Sequence, residues 1–194
     1  MLSSHVRQEG VSLIEILVTL AIVAIVMSFA LPTMKDVFDH SELRATSNKL
    51  MYALETARSE AIKRTSTVTV CPSKNSQAAT PACGGDYQDG WIVYVDRDQN
   101  GAFNTSEHIV LQAEPLSTAF VVSPDAVLKE RVSFGLSGAS TNPVGMPISG
   151  DIVIRYKGFG EHRTIRVAAS GRITATSSSG STTKPHDAAG GAGS

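Results

Sequence analysis

The sequence predicts an α+β fold in which one long N-terminal helix packs on a mostly antiparallel β-sheet domain. Two observations lead to this expectation. An apolar N-terminal run is followed by a stretch rich in Ala, Leu, Glu, Lys and Arg. Every later apolar run is short, rich in β-branched residues and bounded by Gly, Pro, Asn or Asp. The length of 194 residues, 42% of them hydrophobic, suits one membrane or filament segment and one globular domain.

The N-terminus begins with a short polar segment, residues 1–10, and continues as an apolar run over residues 11–31. The run contains no Lys or Arg and a single acid, Glu15. At about 1.5 Å per residue, a helix of this length crosses a hydrocarbon core of about 30 Å. A secretory signal cleaved at the small residues around 28–30 is the alternative. The poor basic region, the internal acid and the helix-forming continuation favour a transmembrane helix.

Glu15 stands out because a carboxylate inside an apolar helix is costly and calls for a partner. Cleavage after Gly10 makes Val11 the new N-terminus and places its α-amino group about one helical turn before Glu15. In a stack of such helices, the amine of one subunit meets the glutamate of another, and each buried charge is paired. A lipid-exposed, protonated glutamate is the alternative.

The N-terminus resembles the signal of type IV prepilins and type II secretion pseudopilins, through Gly10-Val11-Ser12-Leu13-Ile14-Glu15, the apolar run and Pro32. In that family, a prepilin peptidase cuts after the Gly and methylates the new N-terminus. The resemblance implies cleavage at Gly10, methylation of Val11, where the family usually has Phe, and a role in filament assembly for Glu15 and Pro32. It also implies a precursor held in the bacterial inner membrane by one helix, with the C-terminal domain in the periplasm, that enters a pilus or pseudopilus on assembly.

The second half of the helix is predicted over residues 32–64. Pro32 lacks an N–H group and is expected to kink or loosen the helix, so that its two halves point differently. Apolar residues then recur at helical spacings, which predicts one stripe packed on the domain: Leu43, Leu50, Leu54, Ala57 and Ala61.

The β-rich globular domain is predicted over residues 65–176, with turn-forming clusters between its short strands. The strands are expected at residues 67–71, 91–95, 109–112, 119–122, 132–134, 152–156, 164–168 and 172–176. Apart from Pro185, residues 177–194 contain no apolar side chain larger than Ala. Such a segment buries too little surface to offset its ordering entropy, so a disordered tail is expected.

The stretch from ARSEAIKRTSTVTVC to DGWIVYVDRDQNG, residues 57–101, resembles the FimT, FimU and GspH branch of minor pilins and pseudopilins. The resemblance implies the type IV pilin fold and a scarce subunit near a filament tip or in the priming complex. The function expected from it is a minor pilin that helps prime or cap a type IV pilus. The alternatives are a minor pseudopilin of a type II secretion system and a pilus-displayed DNA receptor for natural transformation. The implied partners are other pilins or pseudopilins and the prepilin peptidase.

The two cysteines, Cys71 and Cys83, form an even pair in a chain with an export-type N-terminus. This favours a disulfide in an oxidising compartment over two free buried thiols. A zinc or redox site is not expected, because the pair lacks CxxC spacing and no His lies near it.

Residues 96–107, DRDQNGAFNTSE, fit the calcium-loop pattern through Asp96, Asp98, Asn100, Gly101 and Glu107. Calcium prefers oxygen ligands, and Gly101 permits the sharp turn. The flanking segments are predicted as strands, however, and Asp, Asn and Gly also build plain hairpin loops. Both a calcium site and an ion-free turn remain open, and no other cofactor is expected.

A basic constellation follows in the last strands, while the formal net charge of the whole chain is only -1. A DNA-binding surface, expected from Arg163, Arg166 and Arg172, is one interpretation. Some FimT-like DNA receptors carry Gly-Arg-x-Arg here, whereas this chain has Thr174 in place of the second Arg. Since alternate residues of a strand face opposite sides, only some of these arginines are expected to share a surface. Solvated arginines are the alternative.

Catalysis is not expected from the sequence. Ser137 lies in Gly-Leu-Ser-Gly, which is not a nucleophile elbow, and the five His residues lack metal-ligand spacing. Neither a phosphate-binding loop nor a dinucleotide fingerprint occurs.

Overall fold

The chain is described by a computed structural model over residues 12–157 and 160–178. It forms two compact units, residues 1–41 and 42–194. The predicted cleavage site at Gly10 and Val11, and residues 179–194 of the predicted tail, lie outside the described residues.

One helix, α1 (Leu13–Arg64), spans both units. Its first turn forms as the N–H groups of Glu15 and Ile16 donate to the carbonyl of Ser12. The helical backbone is continuous through Pro32, and the predicted difference in direction between its two halves stays a prediction. The helix ends where Thr65 takes a left-handed conformation, with φ 50°. There the Ser66 N–H donates to the Ala61 carbonyl, which satisfies an acceptor left free at the helix end.

Shorter elements follow α1 in the described residues. They are β1 (Val68–Pro72), a 3-10 turn (Tyr87–Asp89), β2 (Trp91–Val95), β3 (His108–Ala113), β4 (Phe120–Pro124), α2 (Ala126–Lys129), β5 (Val132–Phe134), β6 (Ser140–Thr141), β7 (Gly150–Tyr156), β8 (His162–Val167) and β9 (Ile173–Ser178).

The strands form two antiparallel sheets. The first has five strands in the order β3-β2-β1-β5-β6, and the second has four in the order β4-β7-β8-β9. The predicted mostly antiparallel architecture is therefore confirmed. Each predicted strand is present, and β2 and β5 have the predicted bounds.

The predicted start of the tail was wrong, and two short elements were missed. The strand β9 extends to Ser178, into the first two residues of the predicted tail, because Ser177 and Ser178 pair with Arg163 and His162 on the free edge of β8. The short elements α2 and β6 were also missed. Both are held by neighbours: β6 pairs with β5, and the Leu128 side chain of α2 is buried in the core.

The core lies where the second half of α1 meets both sheets. The predicted stripe is buried, with Leu50, Leu54, Ala57 and Ala61 at 0% exposure and Leu43 at 1%. It shares one apolar cluster with residues of both sheets, among them Val70, Trp91, Phe134, Ile154 and Ile165. At about 25 cal/mol per Å² of apolar surface removed from water, this packing supplies most of the stabilising free energy of the domain.

Arg58 ties α1 to two turns at the edge of this core. Its Nε donates to the Gly138 carbonyl at 3.1 Å, and its Nη2 donates to the Ser170 carbonyl at 3.5 Å. Gly171 completes the junction with φ +76°, and a Cβ built there would overlap the carbonyl oxygen of Gly138. The close approach of the two turns therefore depends on the missing side chain of Gly171.

Gly171→Ala should lower the free energy of unfolding, and Gly145→Ala is its matched control. Gly145 has nearly the same backbone, φ +80°, but a Cβ there meets nothing within 4 Å. Left-handed backbone costs each alanine about 1–2 kcal/mol, and displacing the Gly138 turn adds about 1–3 kcal/mol in Gly171→Ala alone. Urea unfolding of the full chain in mild detergent measures both values, and equal losses in the two variants would contradict the close approach.

Candidate functional site

The first described part of α1 exposes apolar side chains in every direction. Their exposed fractions run from 45% for Val23 to 76% for Leu13. The exposed residues are Leu13, Ile14, Ile16, Leu17, Val18, Leu20, Ile22, Val23, Ile25, Val26 and Met27. A helix that is apolar all round belongs in the core of a larger assembly or in lipid, because water favours neither side of it. We call residues 13–27 the apolar segment.

Glu15 is the only charged residue of the apolar segment, and it is exposed. The hydroxyl of Thr19 is satisfied within the helix, since its Oγ1 donates to the Ile16 carbonyl at 2.9 Å. The pairing of Glu15 with an α-amino group involves Val11, which lies outside the described residues, and it stays a prediction.

No helix formed by the described residues combines the length and the apolar character that crossing a membrane requires.

The acidic loop, residues 96–107, connects β2 to β3, so its flanks are strands as expected. It brings three of the predicted residues together: one carboxylate oxygen from each of Asp96, Asp98 and Glu107 lies within 4.8 Å of the others. The fourth, Asn100, closes the loop. Its Oδ1 accepts from the Ala102 N–H at 2.6 Å, and its Nδ2 donates to Asp98 Oδ2 at 2.8 Å.

Asp96 is the buried member of the loop, with 2% of its surface exposed. Its Oδ2 accepts from the Gly101 N–H at 3.0 Å and from Thr69 Oγ1 at 3.3 Å. Its Oδ1 is buried and has no hydrogen-bond donor among the described residues. Burial raises the pKa of Asp96 above its ordinary value, and the Gly101 N–H opposes this shift.

Glu107 closes the other end of the loop and is 8% exposed. Its two carboxylate oxygens accept from the backbone N–H groups of Arg97 and Asn104, each at 3.0 Å. Burial, and after it the nearby carboxylates of Asp96 and Glu107, raises the pKa of the Tyr94 hydroxyl. The negative potential of the loop therefore reaches the adjoining strand β2.

A buried hydroxyl pair behind the acidic loop was not foreseen from the sequence. Thr69 on β1 and Ser133 on β5 bring their hydroxyl oxygens to 2.8 Å, and Thr69 also contacts Asp96. Strand alternation in TVTVC signals that Thr69 faces away from its apolar neighbours, but the partners depend on the register of β1 with β5.

The predicted disulfide between Cys71 and Cys83 is present, with a Cα–Cα distance of 5.6 Å. Cys71 is fully buried and packs with Ile92 and Tyr94, while Cys83 and Phe103 are partly buried against them. The bridge fastens the segment after β1 back onto the sheet. In the chain-entropy model, closing so short a loop stabilises the folded state by about 3 kcal/mol.

The structure does not bring the three predicted arginines to one surface. Arg163 lies on the face of β8 that carries the buried Ile165, and its Nη1 is 3.4 Å from Asn48 Oδ1 on α1. Arg166 lies on the opposite face, exposed, and Arg172 is exposed in the turn before β9. Arg163 and Arg166 therefore lie on opposite faces of β8, as strand alternation predicts, and DNA binding stays a prediction.

Arg166 has a partner that sequence reasoning missed. Its Nε and Nη2 donate to the two carboxylate oxygens of Asp151 at 2.8 and 2.7 Å, across the pairing of β7 with β8. The hydrogen bonds from Arg166 lower the pKa of Asp151. The only signal in the sequence was that β7 and β8 contain acidic and basic residues. Which of these residues pair depends on the register between the two strands.

Two family models match the chain. A family model described as "Type II transport protein GspH" matches residues 46–171, which is more than half of the chain. A second, "Prokaryotic N-terminal methylation motif", matches residues 6–31. A search of curated protein sequences gives no match.

Among solved structures, two crystal forms of the type IV minor pilin FimU of Pseudomonas aeruginosa PAO1 match at 18% identity. The P21 form has a TM-score of 0.53 and covers 70% of this chain and 88% of FimU. The P65 form has a TM-score of 0.48 and covers 69% and 92%. The first of these likenesses confirms the predicted fold.

The pair of Asp151 and Arg166 should make stability depend on pH in a defined window. A lowered carboxyl pKa stabilises the folded state above the unfolded value of about 3.9, and this contribution is lost as the pH falls through the lowered pKa of Asp151. Asp151→Asn should therefore lower the urea midpoint of the full chain near neutral pH. The difference from wild type should shrink and vanish in strong acid.

Glu114→Gln serves as the control for this pH series, because Glu114 is exposed and lies outside the salt bridges of the described residues. Its midpoint should follow that of the wild type across the window. A loss in Asp151→Asn that persisted unchanged in strong acid would contradict the ion-pair origin.

Proposed function

Because the chain belongs to the GspH family and is a minor pilin or pseudopilin, we propose that it is built into a type IV pilus and helps to prime or cap its assembly. The observation that carries this proposal is the apolar segment, residues 13–27, whose large side chains are exposed all round α1. Fully burying one such side chain stabilises by about 1.5–3 kcal/mol. Transfer of the segment from water into contact with other helices is therefore strongly favourable in free energy.

The proposed pathway has two environments for this helix. Before assembly it anchors the precursor in the inner membrane, with residues 42–194 in the periplasm. The prepilin peptidase then cuts after Gly10 and methylates Val11, and the helix moves into the filament core. There Glu15 pairs with the α-amino group of a neighbouring subunit, which fixes the register between helices.

The division of surfaces along α1 supports this pathway. The stripe from Leu43 to Ala61 is buried within the domain, so it is not available to a partner. The apolar segment is exposed and has one charge, Glu15. One helix thus offers an outward apolar surface at its start and an inward one at its end, as a filament subunit requires.

The family description favours a second candidate, a minor pseudopilin of a type II secretion system. The fold likeness to a type IV minor pilin favours the pilus. Deletion of the gene separates the two: loss of surface pili with normal protein export supports the pilus, and loss of export with normal pili supports the pseudopilus.

A pilus-displayed DNA receptor is supported less by the geometry. Arg166 is paired with Asp151, and Arg163 lies on the opposite face of β8. Arg172 is exposed, but Thr174 stands in the position of the second arginine of the motif. Retardation of DNA by the full chain, abolished by charge reversal at Arg166 and Arg172, would be needed to favour this candidate.

Glu15→Ala tests the assembly proposal. Removal of the carboxylate leaves the α-amino group of a neighbouring subunit unpaired in an apolar core, which costs about 3–5 kcal/mol. Incorporation into sheared filaments, measured by immunoblot, should fall by at least about tenfold. Intact-mass analysis should still show loss of residues 1–10, because the cleavage position itself is unchanged.

Glu55→Gln is the matched control, since Glu55 is an exposed acid on the second half of the same helix. It should enter filaments at the wild-type level. Normal incorporation of Glu15→Ala would contradict the pairing. Cleavage of the wild-type chain after Ala30 instead of Gly10 would contradict the pilin pathway as a whole.

A further inference from the structure

We propose that the acidic loop, residues 96–107, binds one calcium ion through the carboxylates of Asp96, Asp98 and Glu107. The assembly proposal gives this loop no role, and the site is independent of it. One oxygen from each of the three side chains lies within 4.8 Å of the others. Two oxygens that ligate the same calcium at 2.3–2.6 Å are at most about 5 Å apart, so the separation fits a shared ion.

The carboxylate of Asp96 supplies the second, independent observation. Asp96 is only 2% exposed, yet its Oδ1 has no hydrogen-bond donor among the described residues. A buried acceptor without a partner costs about 1–3 kcal/mol, and more when it is charged. The Gly101 N–H and the Thr69 hydroxyl both go to Oδ2 and hold the side chain in place. An ion bound by Asp96 would remove this cost.

The charges around the loop point to a cation. Three carboxylates converge, while none of the Lys, Arg or His side chains in the described part of the chain forms a salt bridge with them. The nearby Arg131 donates to the Asn100 carbonyl at 3.3 Å and pairs with Glu130 at 3.6 Å. Its charge therefore stands beside the loop backbone and is not paired with any of the three carboxylates.

The chemistry of the ligands indicates the kind of ion. All three side-chain ligands are carboxylate oxygens, which suit hard cations and do not select zinc or copper. Calcium accepts six to eight oxygens in a flexible geometry, while magnesium demands a near-ideal octahedron. Here the loop geometry is irregular, since Gln99 and Gly101 both have positive φ, 57° and 71°. Calcium fits such a loop better than magnesium, with water and backbone carbonyls completing the shell.

Calcium binding would act on the connection between β2 and the edge strand β3. The acidic loop begins directly after Val95 and ends directly before His108, so an ion that joins Asp96 to Glu107 clamps the two strand ends together. Binding to the folded chain alone raises its stability by mass action.

Isothermal titration calorimetry of the full chain in detergent micelles tests the site. After chelator treatment and dialysis, calcium chloride should titrate to one ion per chain, with a dissociation constant of about 10⁻⁴–10⁻³ M or lower. The thermal midpoint should rise with calcium concentration. Absence of both binding heat and midpoint shift at about 10 mM calcium would overturn the proposal. Equal affinity for magnesium would overturn the choice of calcium.

Asp98→Asn is the decisive variant, because Asp98 is exposed and its loss should leave the core packing intact. It should weaken calcium binding by about tenfold or more, since charge count sets the affinity of such loops. Glu55→Gln removes an equal charge from an exposed position on α1, outside the carboxylate cluster, and should bind like wild type. Near-UV circular dichroism checks that both variants are folded. Equal weakening in the two variants would show general charge screening and overturn the site.

Discussion

The structure depends above all on the packing of one stripe of α1 into the β-domain. Leu50, Leu54 and Ala57 are fully buried and share one cluster with residues of both sheets. Small side chains such as Ala57 let the helix approach the strands closely, and interiors this dense tolerate little change in volume. These contacts bury the apolar stripe of the second half, whereas the large apolar side chains of residues 13–27 are exposed.

Hydrogen bonds and a disulfide hold the loops at the edge of this core. Arg58 reaches from α1 to two turns, and the absence of a side chain at Gly171 lets those turns meet. The disulfide joins Cys71 to Cys83. Each tie satisfies or constrains backbone that the apolar core cannot reach, and a buried carbonyl left without a donor would cost about as much as one hydrogen bond contributes. The core sets the fold, and these ties hold its loops.

The sequence predicted those features that depend on local patterns. Short apolar runs bounded by turn residues located β2 and β5 to the residue, and helical spacing located the buried stripe. Features that depend on register were missed: β6 is two residues long and exists only through its pairing with β5, and Asp151 meets Arg166 across strands. The acidic loop was predicted only in part. Its motif identified the three carboxylates, but the burial of Asp96 and its contact with Thr69 could be seen only in the folded structure.

Two acidic residues, Glu15 and Asp96, lack a salt-bridge partner among the described residues. Glu60 and Asp151 have arginine partners within the chain, and those hydrogen bonds lower the pKa of both. Glu15 lies in an apolar surface, and Asp96 is buried with one oxygen lacking a donor in the described chain. A domain of this size is stable by only about 5–15 kcal/mol, so the buried oxygen of Asp96 without a donor takes a noticeable share of it. Glu15 is exposed, and it would incur a comparable cost when its helix is buried without a partner. Both costs are offset if the compensating charge comes from outside the chain: an α-amino group of another subunit for Glu15 and a cation for Asp96.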